Sequence, residues 1–398
     1  MNEQVCNPYR QIEILQQALA SDKSRIAFLL GAGCPVSIRI QDGDKNELLI
    51  QDIAGLTRII CDTLTDKNIG KIVDRIQLSD DKKVTIEDIL SHVRLLNEVV
   101  GEGNIDGFTK KNLAELEKGI CEKITDAVSK ELPDNETPYH RLASWIRGIP
   151  RDNPVEIFTP NYDLLIESAL ESKNIPYFDG FIGSMKAFFD LHSIEHEKLP
   201  PRWVKLWKLH GSINWWKGPN GKIFRGHSES AENKQMIYPS HLKYDESRRM
   251  PYYAMQDRLG HFLATGQAVL VTCGYSYVDK HLRAIILERL SANPYAICFG
   301  LLHSGLEKYP EAIACAKKTA NLSLIGNNGA FIGGQQVSWN AEESNVAKYY
   351  DYCVEKKEVN DDTEDSINCK IGDFQVLGKF LLNQIGYTHN DEEDGHAN

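Results

Sequence analysis

The sequence predicts an α/β chain built on a parallel sheet, and three observations lead there. Short continuous apolar runs, R-I-A-F-L-L at 25–30 and A-V-L-V-T-C at 268–273, lack the alternation of a half-exposed strand and read as strands covered on both faces. Helix-spaced apolar positions follow several of these runs, which is the strand–helix alternation of a parallel sheet. Glycine, asparagine, histidine or serine stands just past the end of each of four strands, where such sheets bind ligands.

Ile12, Leu15 and Leu19 recur at helical spacing and predict an N-terminal helix within residues 1–24. The run 25–30 is the first strand, and 48–66 is expected to be helical. Residues 71–130 are rich in Lys, Glu, Asp and Leu. Thr85 followed by Glu87 and Asp88 marks a helix start, a hydroxyl N-cap with acids in the first turn. Ile89, Leu90, Val93 and Leu96, then Leu116, Ile120, Ile124 and Val128, continue at helical spacing. A helical insertion over about 71–150 is therefore expected inside a domain spanning 25–330. Strands follow at 155–158, 204–209, 268–273, 296–302 and 322–325, with helices over 162–170 and 278–290. Residues 331–388 are expected as a C-terminal helical segment, with helices over 342–357 and around Phe374–Ile385. An acidic linker at 358–367 separates them, and 389–398 is expected as a disordered acidic tail.

The 398 residues suggest two or three domains or one heavily inserted domain, and a hydrophobic content of 42% is ample for a core. The formal net charge of −11 repels a phosphate backbone, which argues against direct nucleic-acid binding as the main activity. No apolar run reaches the ~18 residues of a membrane span, and M-N-E-Q-V-C-N-P-Y-R lacks the apolar core of a signal peptide. Nine scattered cysteines, an odd number with no C-x-x-C pair, point to reduced thiols and no zinc-ligand spacing. A cytoplasmic location is expected.

Four motifs carry the chemistry. In Gly31-Ala32-Gly33 a strand turns through glycines, so backbone N–H groups are open to a pyrophosphate; a tight turn without a ligand is the plainer reading. In T-P-N-Y-D at 159–163, Thr159 follows a strand, and Asn161 can hold a ribose hydroxyl or a water without adding charge. It can equally tie off its own turn. Asp163 can serve that loop or cap the next helix. In L-H-G-S-I at 209–213, His210 can take a proton near neutral pH, and Gly211 admits a close neighbour. In G-Y-S-Y-V-D at 274–279, Gly274 and Ser276 could face a phosphate or ribose, and Asp279 could cap the helix from residue 280.

Together, in this order, the four motifs resemble the sirtuin-like NAD-binding family, which carries a G-A-G loop, a T-x-N-x-D segment, a catalytic histidine in H-G and a later G-x-S. The resemblance covers about residues 25–330 and implies a Rossmann-like sheet. The departures are specific. The chain lacks the four-cysteine zinc module of the deacylases, and Pro160 stands where they carry glutamine. C-P-V-S-I-R-I after G-A-G displaces the usual serine to Ser37, and the interval from Asn161 to His210 is long. These features are similar to the bacterial sirtuin-like proteins of antiphage defence, which resemble NAD hydrolases. Y-P-S-H-L-K-Y at 238–244 and G-D-F-Q-V-L-G-K-F-L at 372–381 look similar to subunits that act beside a HerA-type ATPase.

The resemblance implies NAD+ as substrate, no metal and a homo-oligomer. It implies catalytic roles for Asn161 and His210, and cofactor contacts from Gly31, Ala32, Gly33, Thr159, Asp163, Gly274 and Ser276. The alternatives are an NAD or ADP-ribose sensor without turnover, a deacylase without zinc, and a partner-regulated scaffold.

Overall fold

The computed structural model describes residues 4–42, 45–64, 67–77, 84–196, 198–218, 221–226, 234–236, 250–340, 347–357 and 366–386. The segment 238–244, most of the acidic linker and the tail from 389 lie outside the described residues.

The fold is α/β with a large, mainly parallel sheet. Seven parallel strands stand in the spatial order Leu322–Ile325, Ala296–Leu301, Ala268–Cys273, Arg25–Leu30, Val155–Thr159, Val204–Lys208, Tyr177–Phe178. Every central strand is covered on both faces, which is why its sequence does not alternate with polar residues. Ile26, Phe28 and Leu30 enter one buried cluster, while Ala27 and Leu29 enter the other. The first face is covered by helices Pro8–Ala20, Pro138–Gly148, Leu165–Ser172 and Phe374–Asn383. The second is covered by Tyr252–Ala264, Lys280–Ala292 and Pro310–Ala316.

The chain winds outward from Arg25–Leu30 through Val155–Thr159 to Val204–Lys208. It then crosses to Ala268–Cys273 on the other side of the first strand. The order reverses between Arg25–Leu30 and Ala268–Cys273. The carboxyl ends at such a switch point diverge, and a crevice forms there.

Helices Ile53–Thr63, Lys67–Gln77, Ile86–Val99 and Lys110–Val128 build a third apolar core from Ile60, Ile72, Ile89, Leu90, Val93, Leu113, Ile120 and their neighbours. Helix Pro138–Gly148 does not belong to it, although the insertion was expected to run to about 150. Its Trp145 meets Phe28 edge-on at 5.5 Å and Tyr139 meets Phe374 at 5.0 Å, so this helix seals the sheet instead.

The C-terminal part departs further from expectation. No break in the sheet marks residue 330. Gly329–Ile332 and Gln335–Trp339 extend it as an antiparallel hairpin, and Val5–Cys6 adds parallel to the outer strand. Gly333 and Gly334 supply the left-handed turn residues (φ +57° and +85°), and loop-like composition hid the strands on either side of them. Residues 342–357 are not one helix. Ala347–Tyr350 is a single turn, and Val354–Lys357 pairs with Ser366–Cys369 as a small antiparallel ribbon whose Val354 and Cys369 are buried. The apolar positions of this stretch serve a strand that tertiary contact stabilises.

A five-stranded antiparallel sheet within 181–236 was not expected either. It contains Gly211–Lys217, the strand that leaves the histidine loop. Among the described residues no helix is long and apolar enough to cross a membrane, and no three His, Cys, Asp or Glu side chains converge as a metal site. All nine cysteines are free thiols.

Candidate functional site

The four motifs leave the carboxyl ends of four strands that stand side by side: Ala268–Cys273, Arg25–Leu30, Val155–Thr159 and Val204–Lys208. Adjacent parallel strands deliver their following loops to one edge, so residues separated by more than a hundred positions meet there.

Backbone and short side chains stitch these loops together. Gly31 N–H donates to Cys273 O at 2.9 Å, and Gly33 N–H donates to Gly274 O at 2.9 Å. Two of the N–H groups expected to face a pyrophosphate are thus engaged by the neighbouring loop. The glycines here permit backbone to meet backbone. A Cβ on Gly33 would lie 2.8 Å from Gly274 Cα, and one on Gly274 would lie 2.5 Å from Cys34 N. Gly274 also sits at φ +64°. Ala32 and Gly33 are exposed and Gly31 is buried.

Thr159 is buried. Its hydroxyl donates to Leu30 O at 2.7 Å and accepts the Asn161 N–H at 3.1 Å. Asn161 is half-buried and donates from Nδ2 to Gly31 O at 3.1 Å, while its Oδ1 accepts no hydrogen bond among the described residues. One amide arm is therefore fixed by the glycine loop and the other is left for a partner.

Asp163 is turned inward. Its carboxylate accepts the N–H of Leu165, the first residue of the following helix, at 3.1 Å. Beneath it lies Lys208, 1% exposed, whose ammonium donates to the Asp163 carbonyl and stands 3.1 Å from Glu167 Oε1. Burial pushes the carboxyls of Asp163 and Glu167 up, and the Lys208 charge pulls both down. One cation and two carboxyls thus share a dry pocket under the asparagine loop. Sequence reasoning missed Lys208 and Glu167. The available signal was a lysine in phase with Leu206 in the strand V-K-L-W-K, since a charge on a covered face needs a partner.

His210 follows, 5% exposed, and its Nε2 stands 3.2 Å from Asp279 Oδ2. Asp279 caps helix Lys280–Ala292 as the sequence suggests, its Oδ1 accepting from His281 N at 2.9 Å and Leu282 N at 3.2 Å. Its second role, against His210, is not visible in the sequence. Gly211 (φ +87°) turns the chain into the next strand. Of the fourth motif, Gly274 joins the glycine loop, and Ser276 is exposed and makes no hydrogen bond to Asn161 or His210. Tyr277 is buried at φ +62°, its hydroxyl 3.0 Å from Thr272 Oγ1. A bulky residue held in that backbone region is strained, and such strain gathers at working loops.

The arrangement offers an imidazole with a carboxylate behind it, an amide with an open oxygen, and a glycine turn, all at one sheet edge. That set can hold a polar ligand and move a proton.

No curated protein sequence matches the chain. Among solved structures it is similar to one described as "Structural Basis for the Mechanism and Regulation of Sir2 Enzymes". The two share 13% identity with a TM-score of 0.37, covering 82% of this chain and 93% of that one. It is also similar to a Sir2 homologue variant in complex with ADP-ribose, at 13% identity and TM-score 0.35, covering 75% and 88% respectively. Residues 155–310, which hold Asn161, His210 and Asp279 but not the glycine loop, match the family model of the SIR2-like domain.

Proposed function

We propose that the chain hydrolyses NAD+ at the nicotinamide–ribose bond, releasing nicotinamide and ADP-ribose. One observation carries this reading: Asn161, tied to Gly31, and His210, backed by Asp279, stand on loops at the same carboxyl edge of adjacent strands. The SIR2-like match over 155–310 supports it. The dinucleotide lies across the switch point. The cationic nicotinamide is already a good leaving group, and the transition state resembles an oxocarbenium ion. The protein's work is to hold the ribose, through Asn161, and to take a proton from the attacking water, through His210. The pyrophosphate lies against the Gly31–Gly33 turn without the Gly31 and Gly33 N–H groups, which the neighbouring loop engages, and Ser276 faces the adenosine half. Thr159, Asp163 and Gly274 hold the loops. No metal takes part.

The same proposal extends to biology. Depletion of NAD serves antiphage defence in the cytoplasm, with low basal activity released by self-assembly or by a HerA-type ATPase partner.

Nicotinamide release decides between the readings. It is measured for wild type, Asn161→Ala and His210→Ala, with a chelator present and absent, alone and with lysate of phage-infected cells. Release that survives chelation and drops about a hundred- to ten-thousand-fold in His210→Ala, at unchanged melting temperature, is expected. NAD+ binding without release under any condition would replace hydrolysis by a sensor. Release only with an acyl-peptide would replace it by deacylation.

A further inference from the structure

We propose that Asp279 is the positioning residue of His210. It fixes the imidazole as the Nε2–H tautomer and makes Nδ1 the atom that takes the proton. The source of that proton rests on the NAD-cleaving reading above; the tautomer does not.

The two carboxylate oxygens of Asp279 do different work. Oδ1 accepts two backbone N–H groups in the first turn of the 13-residue helix Lys280–Ala292. Those bonds, at the positive end of the helix, hold the carboxylate still. Oδ2 is thereby aimed at His210 Nε2, 3.2 Å away. A carboxylate only accepts, so the hydrogen between them belongs to Nε2. The side chains are 7% and 14% exposed, so water competes poorly for the contact. His210 Nδ1 makes no hydrogen bond among the described residues and is the nitrogen left as a base.

The topology gives the contact a second consequence. Asp279 follows the strand Ala268–Cys273 and His210 follows Val204–Lys208. Between these two strands stand the ones that carry Gly31 and Asn161. The contact therefore bridges the outer members of the four-loop edge and sets the histidine relative to the amide.

In the reaction, a water oxygen bonds to ribose C1′ as the C1′–N bond breaks and its electron pair leaves with nicotinamide. The water's proton passes to Nδ1 and from there to solvent. The Nε2–H stays on the ring, and Asp279 stabilises the imidazolium that forms meanwhile.

The test uses the full chain labelled with 15N-histidine, the His210 signals being assigned by their loss in His210→Ala. Wild type is expected to show the Nε2–H tautomer. Asp279→Asn keeps an N-cap acceptor but presents an amide N–H₂ to the ring, and is expected to convert His210 to the Nδ1–H form. Asp279→Ser keeps the cap and removes the second arm. Both variants are expected to lose about a thousand- to ten-thousand-fold in kcat, with KM for NAD+ within about threefold and little change in melting temperature. A wild-type His210 in the Nδ1–H form would overturn the proposal, as would kcat within about threefold of wild type in both variants. If wild type releases no nicotinamide, the hydrolase reading fails, while the wild-type tautomer still decides the role of Asp279.

Discussion

The sheet edge and the helical insertion are built from opposite materials. Among the described residues of the insertion, the buried side chains are aliphatic apart from Phe108, Ser91 and Thr125. The two hydroxyls return their hydrogen bonds to their own helices, at Glu87 O and Cys121 O. The sheet body buries Glu156, Asp163, Glu167, Asp179, Lys208 and His210, and all but Asp163, whose carboxylate caps the helix that follows it, reach across to another element. A region that only has to fold avoids buried charge, because desolvation is seldom repaid. A region that retains buried charge is shaped by something besides stability, and here Asp163, Glu167, Lys208 and His210 lie under and beside the loops that gather at one edge.

The contrast can be broken most directly at Lys208. Lys208→Ala leaves two carboxyls in a dry pocket without their cation and is expected to cost about 3–5 kcal/mol in denaturant unfolding. It should also lower nicotinamide release per folded molecule, since the Asp163 carbonyl that it holds lies two residues from Asn161. Unchanged release in the folded fraction would show that the cluster supports the fold alone. Leu90→Ala is the matching change in the insertion. The loss of a wholly buried side chain is expected to cost about 2–5 kcal/mol while release per folded molecule stays at the wild-type value. A fall in release there would mean that the insertion acts on the site.

The smallest expected effect compares one device used three times. Thr85 with Asp88 and Thr109 with Asn112 close a helix start by reciprocal bonds, and Thr137 with His140 repeats the return arm, the third side chain of the helix reaching back to the cap. Only the last acceptor titrates near neutrality. His140 Nδ1 accepts the Thr137 N–H at 3.2 Å, and burial together with Lys173 lowers the histidine below its ordinary 6.5. Because the folded value is the lower one, this stability is present above pH 6.5. It is lost as pH falls through the folded value. Melting temperature should fall over that interval, and His140→Asn, which copies the Asn112 acceptor, should flatten the fall. An unchanged slope in His140→Asn would remove His140 as its source.

The reach of sequence reasoning follows from what each element answers to. Ala268–Cys273 and Leu322–Ile325 were readable to the residue, because a covered strand is apolar at nearly every position and breaks off where that run ends. The hairpin 329–339 and the ribbon 354–369 were not, because their pairing partners rather than their own composition hold them extended. Asn161 and His210 were legible as residues at strand ends. Lys208 left only the trace of a charge in phase with the apolar Val204 and Leu206, and Asp279 showed only its capping role.

By itself, then, the sequence determined the local and periodic matters: the α/β class, the apolar strands, the capped helices of the insertion and the loops where chemistry could stand. Tertiary structure alone decided which loops meet, that Gly31 and Gly33 spend their N–H groups on the neighbouring loop, and that Asp279 reaches His210. The physical reason is distance along the chain. Propensity and hydrophobic period act over a few residues. Strand order joins positions 31, 161, 210 and 279 at one edge, and no local signal encodes that order.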